Sequence, residues 1–377
     1  MRTAHIFSLI LLVCLLFVSC RDEYEILPSE KIVVSLPEYT SIDGFYLLNE
    51  GNMGMNKATL DYYDYKTGTY RRNIFGEANP TVIKELGDVG NDLKIYGNKL
   101  YVVVNCSNKI DVLDARTAVK LGQIDILNCR YINFHGAYAY VTSYDCPVQV
   151  NSIYEHNGYV AKIDTATLEV VDKCYVGQQP DELEIVGNNI YVANSGGYHK
   201  PHYDNTISVI DVSTFEETHR IEIAKNCYRL RVDSYAQLWI STRGDYNTQK
   251  PLLYCLDLAT EQVVDCLDIS VSDLCLSGDS LYIINTDWIS GEVNYSIVDV
   301  EKRKLVSTNF ITDGTDKIIR KPYGVLVNPI TKDFYIPDAK NLLSPGTLYC
   351  FDKEGRQKWN VRTGDIPAHF AILGEYK

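Results

Sequence analysis

An internal repeat of short strand patterns is the feature that most constrains how this chain can fold. Its clearest copy spans residues 183–223. That copy has an apolar stretch, a Gly187-Asn188 turn, a second stretch ending in Asn194 and a third ending in Asp211. Short apolar or alternating runs bounded by turn residues are typical of β-strands. With a fourth alternating run at residues 218–223, the unit predicts four short strands.

The aspartate that ends the third strand marks each copy of the repeat. It occurs at Asp64, Asp114, Asp164, Asp211, Asp257, Asp299 and Asp352, in steps of 50, 50, 47, 46, 42 and 53 residues. Seven units near this period, with four strands each, indicate a β-propeller. We therefore predict an all-β fold, a seven-bladed β-propeller with four-stranded blades.

These aspartates could be mistaken for a catalytic or calcium-binding set. In several copies a threonine follows three residues later, as with Asp114 and Thr117. An aspartate at such a position accepts hydrogen bonds from nearby backbone N–H groups and stabilises a turn. Because the aspartate recurs in every unit, we assign it to the turn between the third and fourth strands.

The chain ends predict how the ring closes. The first unit lacks a first strand, whereas residues 366–373 are a spare strand pattern that resembles residues 179–186. We therefore expect the C-terminal strand to join the first blade. No linker-like stretch interrupts residues 41–377, so we assign them to one propeller domain.

The first twenty residues differ from the rest of the chain. Arg2 precedes an apolar run from Ile6 to Val18, and Ser19 and Cys20 follow. The run is too short for a membrane span and indicates a signal peptide. Because its end resembles a lipobox, we predict a lipoprotein signal peptide at residues 1–19, lipidation of Cys20 and a lipidated tether at residues 20–40. The alternative is an ordinary secretory signal with an incidental cysteine.

The charged residues 21–25, directly after the cysteine, resemble the export signal of Bacteroidetes surface lipoproteins. This resemblance implies an outer-membrane location, facing the cell exterior and attached to the membrane through the lipid alone. The alternative is that these residues form a polar tether without an export signal.

The formal net charge of −13 argues against nucleic acid as a partner, because phosphate backbones are bound by basic surfaces.

Cysteine usage argues against two kinds of stabilisation. Eleven cysteines occur, and nine remain once Cys14 and Cys20 are set aside. An odd number without a C-x-x-C pair disfavours both a zinc site and a dense disulfide framework. Cys255 and Cys266 lie on two strands of one predicted hairpin, and whether they pair is left open.

Binding is expected on the face where the loops between second and third strands meet the blade-to-blade connections. Both sets are rich in tyrosine, asparagine, arginine and histidine, a composition that suits a large amphipathic ligand, although propeller loops are polar in general. The predicted ligand-binding residues are Asn52, Asn91, Asp92, Arg130, Tyr144, Gln179, Glu182, Tyr198, His199, His202, Tyr203, Tyr228, Arg243, Tyr246, Trp288 and Tyr323.

The sequence gives less support to a catalytic function. His199 and His202 lie three residues apart near Asp204, which is a weak metal-site pattern. No G-x-S-x-G, H-E-x-x-H or phosphate-binding glycine loop occurs. We therefore expect a binding protein rather than an enzyme, with no catalytic residue, metal or resident cofactor.

Two resemblances add to this prediction. Residues 190–194 and 207–214 resemble the YVTN repeats of YncE-type seven-bladed propellers. Residues 47–52, 86–93 and 194–198 resemble the BtuG-type branch of Bacteroidetes surface lipoproteins, which bind vitamin B12. The second resemblance implies cobalamin or a related corrinoid as the transported ligand, and a BtuB-like TonB-dependent outer-membrane transporter as the partner. Alternatives are a carbohydrate- or peptide-binding propeller of another uptake system and, with less support, a propeller lyase or lactonase.

Overall fold

The computed structural model describes residues 28–38, 41–82, 86–148, 157–287 and 290–374. Within these residues, 29 strands form seven antiparallel sheets, accompanied by a short α-helix, α1 (Ile74–Ala78), and a 3-10 turn at Thr315–Lys317. The sheets are the blades of a ring, and their first strands surround its centre. The predicted all-β, seven-bladed propeller is confirmed.

Each blade is described from the centre outward. Blade 1 contains β29 (Pro367–Gly374), β2 (Ile42–Asn49), β3 (Thr59–Asp64), β4 (Thr69–Arg72) and β1 (Glu30–Val33). Blade 2 contains β5 (Gly90–Tyr96), β6 (Lys99–Val104), β7 (Lys109–Asp114) and β8 (Lys120–Asp125). Blade 3 contains β9 (Cys129–His135), β10 (Tyr138–Ser143), β11 (Asn157–Asp164) and β12 (Val170–Gln178). Blade 4 contains β13 (Pro180–Val186), β14 (Asn189–Asn194), β15 (Thr206–Asp211) and β16 (Glu216–Glu222).

The remaining three blades follow the same order. Blade 5 contains β17 (Cys227–Val232), β18 (Gln237–Thr242), β19 (Leu253–Asp257) and β20 (Gln262–Leu267). Blade 6 contains β21 (Asp273–Ser277), β22 (Ser280–Thr286), β23 (Val293–Asp299) and β24 (Lys304–Ser307). Blade 7 contains β25 (Leu326–Val327), β26 (Phe334–Asp338), β27 (Pro345–Phe351) and β28 (Gln357–Asp365).

The hydrophobic core lies between the blades, around the ring. Tyr101 and Val103 of blade 2 pack with Ile132 and Val141 of blade 3, and all four side chains are almost fully buried. Second and third strands are buried on both faces, which explains their continuous apolar runs. Outer strands such as β16 and β24 contain no fully buried residue.

The ring closes as predicted. β29 pairs antiparallel with β2, with Phe45 opposite Ile372 and Leu47 opposite Phe370. The pairing supplies blade 1 with the inner strand that its own sequence lacks.

Part of the segment predicted as tether belongs to the same sheet. β1 pairs with β4 through Lys31 and Arg71, and so forms a fifth strand at the outer edge of blade 1. Sequence reasoning missed β1 because four residues with mostly exposed side chains have no apolar period. The predicted signal peptide and Cys20 lie outside the described residues. None of the described helices is long and apolar enough to cross a bilayer.

The recurring aspartates form turns, as predicted. Asp114 Oδ1 accepts hydrogen bonds from the backbone N–H groups of Arg116 and Thr117, at 3.0 and 2.9 Å. Asp164, Asp211 and Asp257 make the same pair of contacts. These aspartates therefore have a structural role, because they stabilise turns on the face of the propeller that carries the short turns.

Within the described residues, all nine cysteines are free. Cys255 is opposite Asp265 in the hairpin, whereas Cys266 is opposite Tyr254. Cys255 is buried and Cys266 is exposed. The two side chains lie on different faces of the sheet and do not pair.

Candidate ligand-binding site

A cavity of about 380 Å³ opens on the loop-rich face at blades 5 to 7. We call it the upper cleft. Its walls come from the loop after β18, the connection before β21, the end of β22 and the segment before β25. Glu50 of blade 1 and Tyr228 and Arg229 of β17 complete the lining. Loops between second and third strands and blade-to-blade connections thus meet on one face, as the topology predicts.

The loop after β18 is held by a carboxylate cap. Asp245 Oδ1 accepts hydrogen bonds from the backbone N–H groups of Asn247, Thr248 and Gln249, at 3.0, 2.7 and 2.8 Å. The bond from Gln249 is the largest of the effects that lower the pKa of Asp245. The cap positions Tyr246, whose side chain is 54% exposed beside the upper cleft.

Arginine and tyrosine side chains alternate from the upper cleft across the centre of the ring. We call this row the Arg–Tyr ladder; in order, it contains Arg243, Tyr228, Arg229, Tyr131, Arg130 and Tyr144. The Arg243 guanidinium carbon lies 3.3 Å from the centroid of the Tyr228 ring. Cations stacked on aromatic faces are stabilised by the ring quadrupole, most strongly where water is excluded.

Buried carboxylates neutralise the inner part of this ladder. Asp181, fully buried, binds Arg130 through Nε and Nη2 at 3.1 and 3.0 Å and accepts a hydrogen bond from the Tyr144 hydroxyl at 2.9 Å. Glu182 binds Arg229 at 3.0 Å and Arg231 at 2.7 Å. Burial opposes ionisation of Glu182, but these two arginines outweigh it and lower the pKa to about 2.

A second cavity, of about 370 Å³, lies in the central channel between the inner strands. Lys94, Glu184, Arg231 and His369 are among its lining residues. Arg229 lines both cavities, so this part of the ladder separates them. Burial raises the pKa of Glu184, although the charges of Lys94 and Arg231 oppose this effect.

Residues 43–364 match the family described as "Domain of unknown function (DUF5074)". This chain belongs to the DUF5074 family. No curated protein matches it.

Two solved structures similar in fold to this DUF5074 chain have low sequence identity to it. One is a quinoprotein alcohol dehydrogenase-like protein from Bacteroides thetaiotaomicron, with a TM-score of 0.59 and 14% identity over 89% of this chain and 79% of that one. Another is Kuenenia stuttgartiensis hydrazine synthase, with a TM-score of 0.55 and 17% identity over 70% of this chain and 77% of that one. At such identities the similarity shows the fold alone.

The structure brings part of the predicted site together. Tyr228, Arg243, Tyr246 and Tyr323 line the upper cleft. Four other predicted tyrosine and arginine residues adjoin this group through the ladder or through ring contacts: Arg130, Tyr144, Tyr198 and Tyr203. The nearby Glu50 carboxylate, together with burial, raises the pKa of Tyr323 well above its usual range.

Other predicted residues support the frame of the DUF5074 propeller. The Asn91 side chain donates to the Arg130 carbonyl at 2.6 Å, and Gln179 Oε1 accepts from the Tyr198 N–H at 2.6 Å. Asp92 accepts from the Ile132 N–H at 2.9 Å. Asp92 and Glu182 line the central channel rather than the upper cleft.

Three predicted residues of the loop face lie apart from the upper cleft lining. Asn52 is on the first loop of blade 1, and His199 and His202 lie in the loop after β14. His199 is buried, and its Nδ1 lies 3.2 Å from the His202 carbonyl. Trp288 lies outside the described residues. Across the described part of the chain, no group of three or more His, Cys, Asp or Glu residues could hold a metal ion.

Several lining residues were not predicted: Thr242, Ser270, Val271, Ser272, Asn285, Thr286, Lys321 and Pro322. The sequence carried a signal for one of them. Ser272 precedes Gly278 by six residues, as Asp181 precedes Gly187, so both occupy the same repeat position, at or next to the start of the first strand of the blade. Of the others, Asn285 and Lys321 carry hydrogen-bonding side chains that no sequence pattern marked as ligand contacts, and the rest are small or aliphatic residues.

Proposed function

We propose that this chain is a cell-surface lipoprotein that binds cobalamin or a related corrinoid and delivers it to a BtuB-like TonB-dependent outer-membrane transporter. The observation that carries ligand binding is the upper cleft, where Tyr228, Arg243 and Tyr246 of blade 5 meet Tyr323 from the segment before β25. The corrinoid, the transporter and the outer-surface location come from the sequence resemblances. We propose a binding role, without catalysis or a resident cofactor.

The chemistry of the upper cleft suits such a ligand. A corrinoid combines an apolar macrocycle with many amide groups. Exposed and half-buried tyrosine rings offer apolar area, while Asn285, Ser272 and Lys321 offer hydrogen-bonding groups beside them. A cavity of about 380 Å³ is at the small end of ligand pockets, which run from roughly 300 to 1,000 Å³. We therefore expect part of the corrinoid to enter the cleft and the rest to lie across the surrounding loops.

Tyr246 gives a direct test with a matched control. Its side chain is 54% exposed at the cleft, and that of Tyr175 on β12 is 56% exposed at the outer edge of blade 3. By titration calorimetry with cyanocobalamin, Tyr246→Ala should weaken binding about fivefold or more, because truncating a hot-spot tyrosine costs over about 1 kcal/mol. Tyr175→Ala should bind like the unchanged protein.

Two results would contradict the proposal. The absence of heat and of a co-eluting red ligand with the unchanged protein would exclude cobalamin. Saturable binding of an oligosaccharide or peptide, lost in Tyr246→Ala, would assign the cleft to another uptake system. Delivery would be tested separately, by co-purification of the lipoprotein with a corrinoid transporter.

A further inference from the structure

Arg243 differs from the other arginines of the Arg–Tyr ladder in its bonding. Among the described residues its guanidinium makes no hydrogen bond, and its one ion-pair contact is Asp181 Oδ2 at 3.7 Å. The other oxygen of Asp181 is taken by Arg130 and Tyr144. Arg130 and Arg229 have carboxylate partners near 3.0 Å and side chains no more than 9% exposed, whereas the Arg243 side chain is 28% exposed.

The orientation of Arg243 is nevertheless set. Its guanidinium carbon lies over the Tyr228 ring, 3.3 Å from the centroid, and the residue lines the upper cleft. A guanidinium presents five N–H donors in a planar fork. Such a fork matches the paired oxygens of phosphates and carboxylates and binds them with two parallel hydrogen bonds. Stacking on Tyr228 reduces the side-chain freedom that would be lost on binding.

Arg243 places a positive charge in the wall of the cleft. The lining contains four cationic residues, Arg229, Arg243, Lys250 and Lys321, and two acidic ones, Glu50 and Asp287. Glu50 lies 2.9 Å from His369. Glu182 and Asp273 neutralise Arg229, and Asp268 is paired with Lys250, so it is Arg243, with its 3.7 Å carboxylate contact, that leaves positive charge at the cleft. Local fields of this kind attract anionic ligands.

We infer that Arg243 binds an oxyanion of the ligand, a phosphate or phosphodiester group, through its guanidinium fork while Tyr228 keeps that fork in plane. The chemical identity of the group rests on the proposed function, because cobalamin carries a phosphodiester in its nucleotide tail. Cobinamide, which has the same corrin ring, lacks that tail. The pair of corrinoids therefore separates recognition of the anion from recognition of the ring.

The test combines two ligands with three forms of Arg243. Cyanocobalamin and dicyanocobinamide are titrated calorimetrically into the unchanged protein, Arg243→Gln and Arg243→Lys. Arg243→Gln should weaken the binding of cyanocobalamin about 10- to 100-fold, which is the effect of losing a charge-assisted bidentate contact. The affinity for cobinamide should change less than about twofold. Arg243→Lys keeps the charge without the fork, so its affinity for cyanocobalamin should fall between those of the unchanged protein and Arg243→Gln. Added salt should weaken the binding of cyanocobalamin more for the unchanged protein than for Arg243→Gln.

Arg220→Gln is the matched control. Arg220 lies on β16, has a 37% exposed side chain and pairs with Glu217, away from the cleft. Arg220→Gln should leave the affinities for cyanocobalamin and cobinamide unchanged. Equal losses for the two corrinoids in Arg243→Gln, with unaltered melting temperature, would overturn the anion contact while leaving corrinoid binding standing. If neither corrinoid binds the unchanged protein, the proposed function fails and the phosphodiester assignment fails with it.

Discussion

At the scale of single residues, the partners of a buried charge come from distant parts of the chain. The sequence predicted Glu182 as a ligand-binding residue on a blade-to-blade connection, whereas the structure places it on β13. In the structure it is held by Arg229 and Arg231, which lie 47 and 49 residues further along the chain. No local sequence pattern predicts these partners, because they meet only when blades 4 and 5 stand side by side. A buried ion pair of this kind fixes geometry, and losing one partner leaves an uncompensated charge.

Glu182 also predicts a response to acid. In an unfolded chain a glutamate titrates near ~4.3, whereas the arginines lower the pKa of Glu182 to about 2 in the fold, against the effect of burial. The folded pKa is the lower one, so this stabilisation is full above pH ~4.3 and is lost as the pH falls toward ~2. Two pKa units correspond to about 3 kcal/mol.

The measurement is urea denaturation of Glu182→Gln and the unchanged protein across this pH range. The variant should be about 3 kcal/mol less stable at pH ~7, and the difference should shrink to near zero at pH ~2. Glu217→Gln, which disrupts the pair with Arg220 on the exposed face of β16, should cost less than about 1 kcal/mol. A difference that stays constant with pH would show that the carboxylate charge is not responsible.

At the scale of elements, the two strands contributed by the chain ends are unequal. β29 gives blade 1 its inner strand and buries Ala371 and Leu373 against the core. β1 adds an outer strand whose residues are mostly exposed, with Ile32 partly packed inward. Hydrophobic stabilisation follows the apolar area removed from water, so β29 contributes far more than β1.

Two shortened chains test this difference. Removal of residues 367–377 leaves the inner edge of β2 unpaired and should abolish cooperative thermal unfolding. Removal of residues 28–33 should keep one cooperative transition, with a melting temperature lower by only about a few degrees. Scanning calorimetry distinguishes the outcomes, and similar melting of the two chains would contradict the assigned role of β29.

At the scale of the whole molecule, the ring converts sequence distance into proximity. The upper cleft combines Glu50 with Tyr228 and Tyr323, which lie on blade 1, blade 5 and the segment leading into blade 7. No local sequence pattern joins these residues. Their meeting depends on loops of successive blades emerging on the same side of a closed ring.

The cysteine inventory gives a prediction for the complete protein. All nine cysteines in the described residues are free, and Cys14 and Cys20 are the other two of eleven. If the signal peptide is removed and Cys20 carries the lipid on its sulfur, the denatured protein should react with nine equivalents of Ellman's reagent. Ten would indicate an unmodified Cys20, eleven an uncleaved chain, and fewer than nine a disulfide. A reductant should leave the melting temperature unchanged.

The sequence by itself determined the number of blades, the closure of the ring and the turn role of the recurring aspartates. These features follow from local rules, since alternation, turn residues and a repeat period each act within one blade. Only the tertiary structure decided which loop residues share a cleft, because neighbouring blades supply both the cleft walls and the partners of buried charges. Thus Glu182 is neutralised by two arginines of the next blade, while Arg243 stacks on Tyr228 with its donors at the cleft.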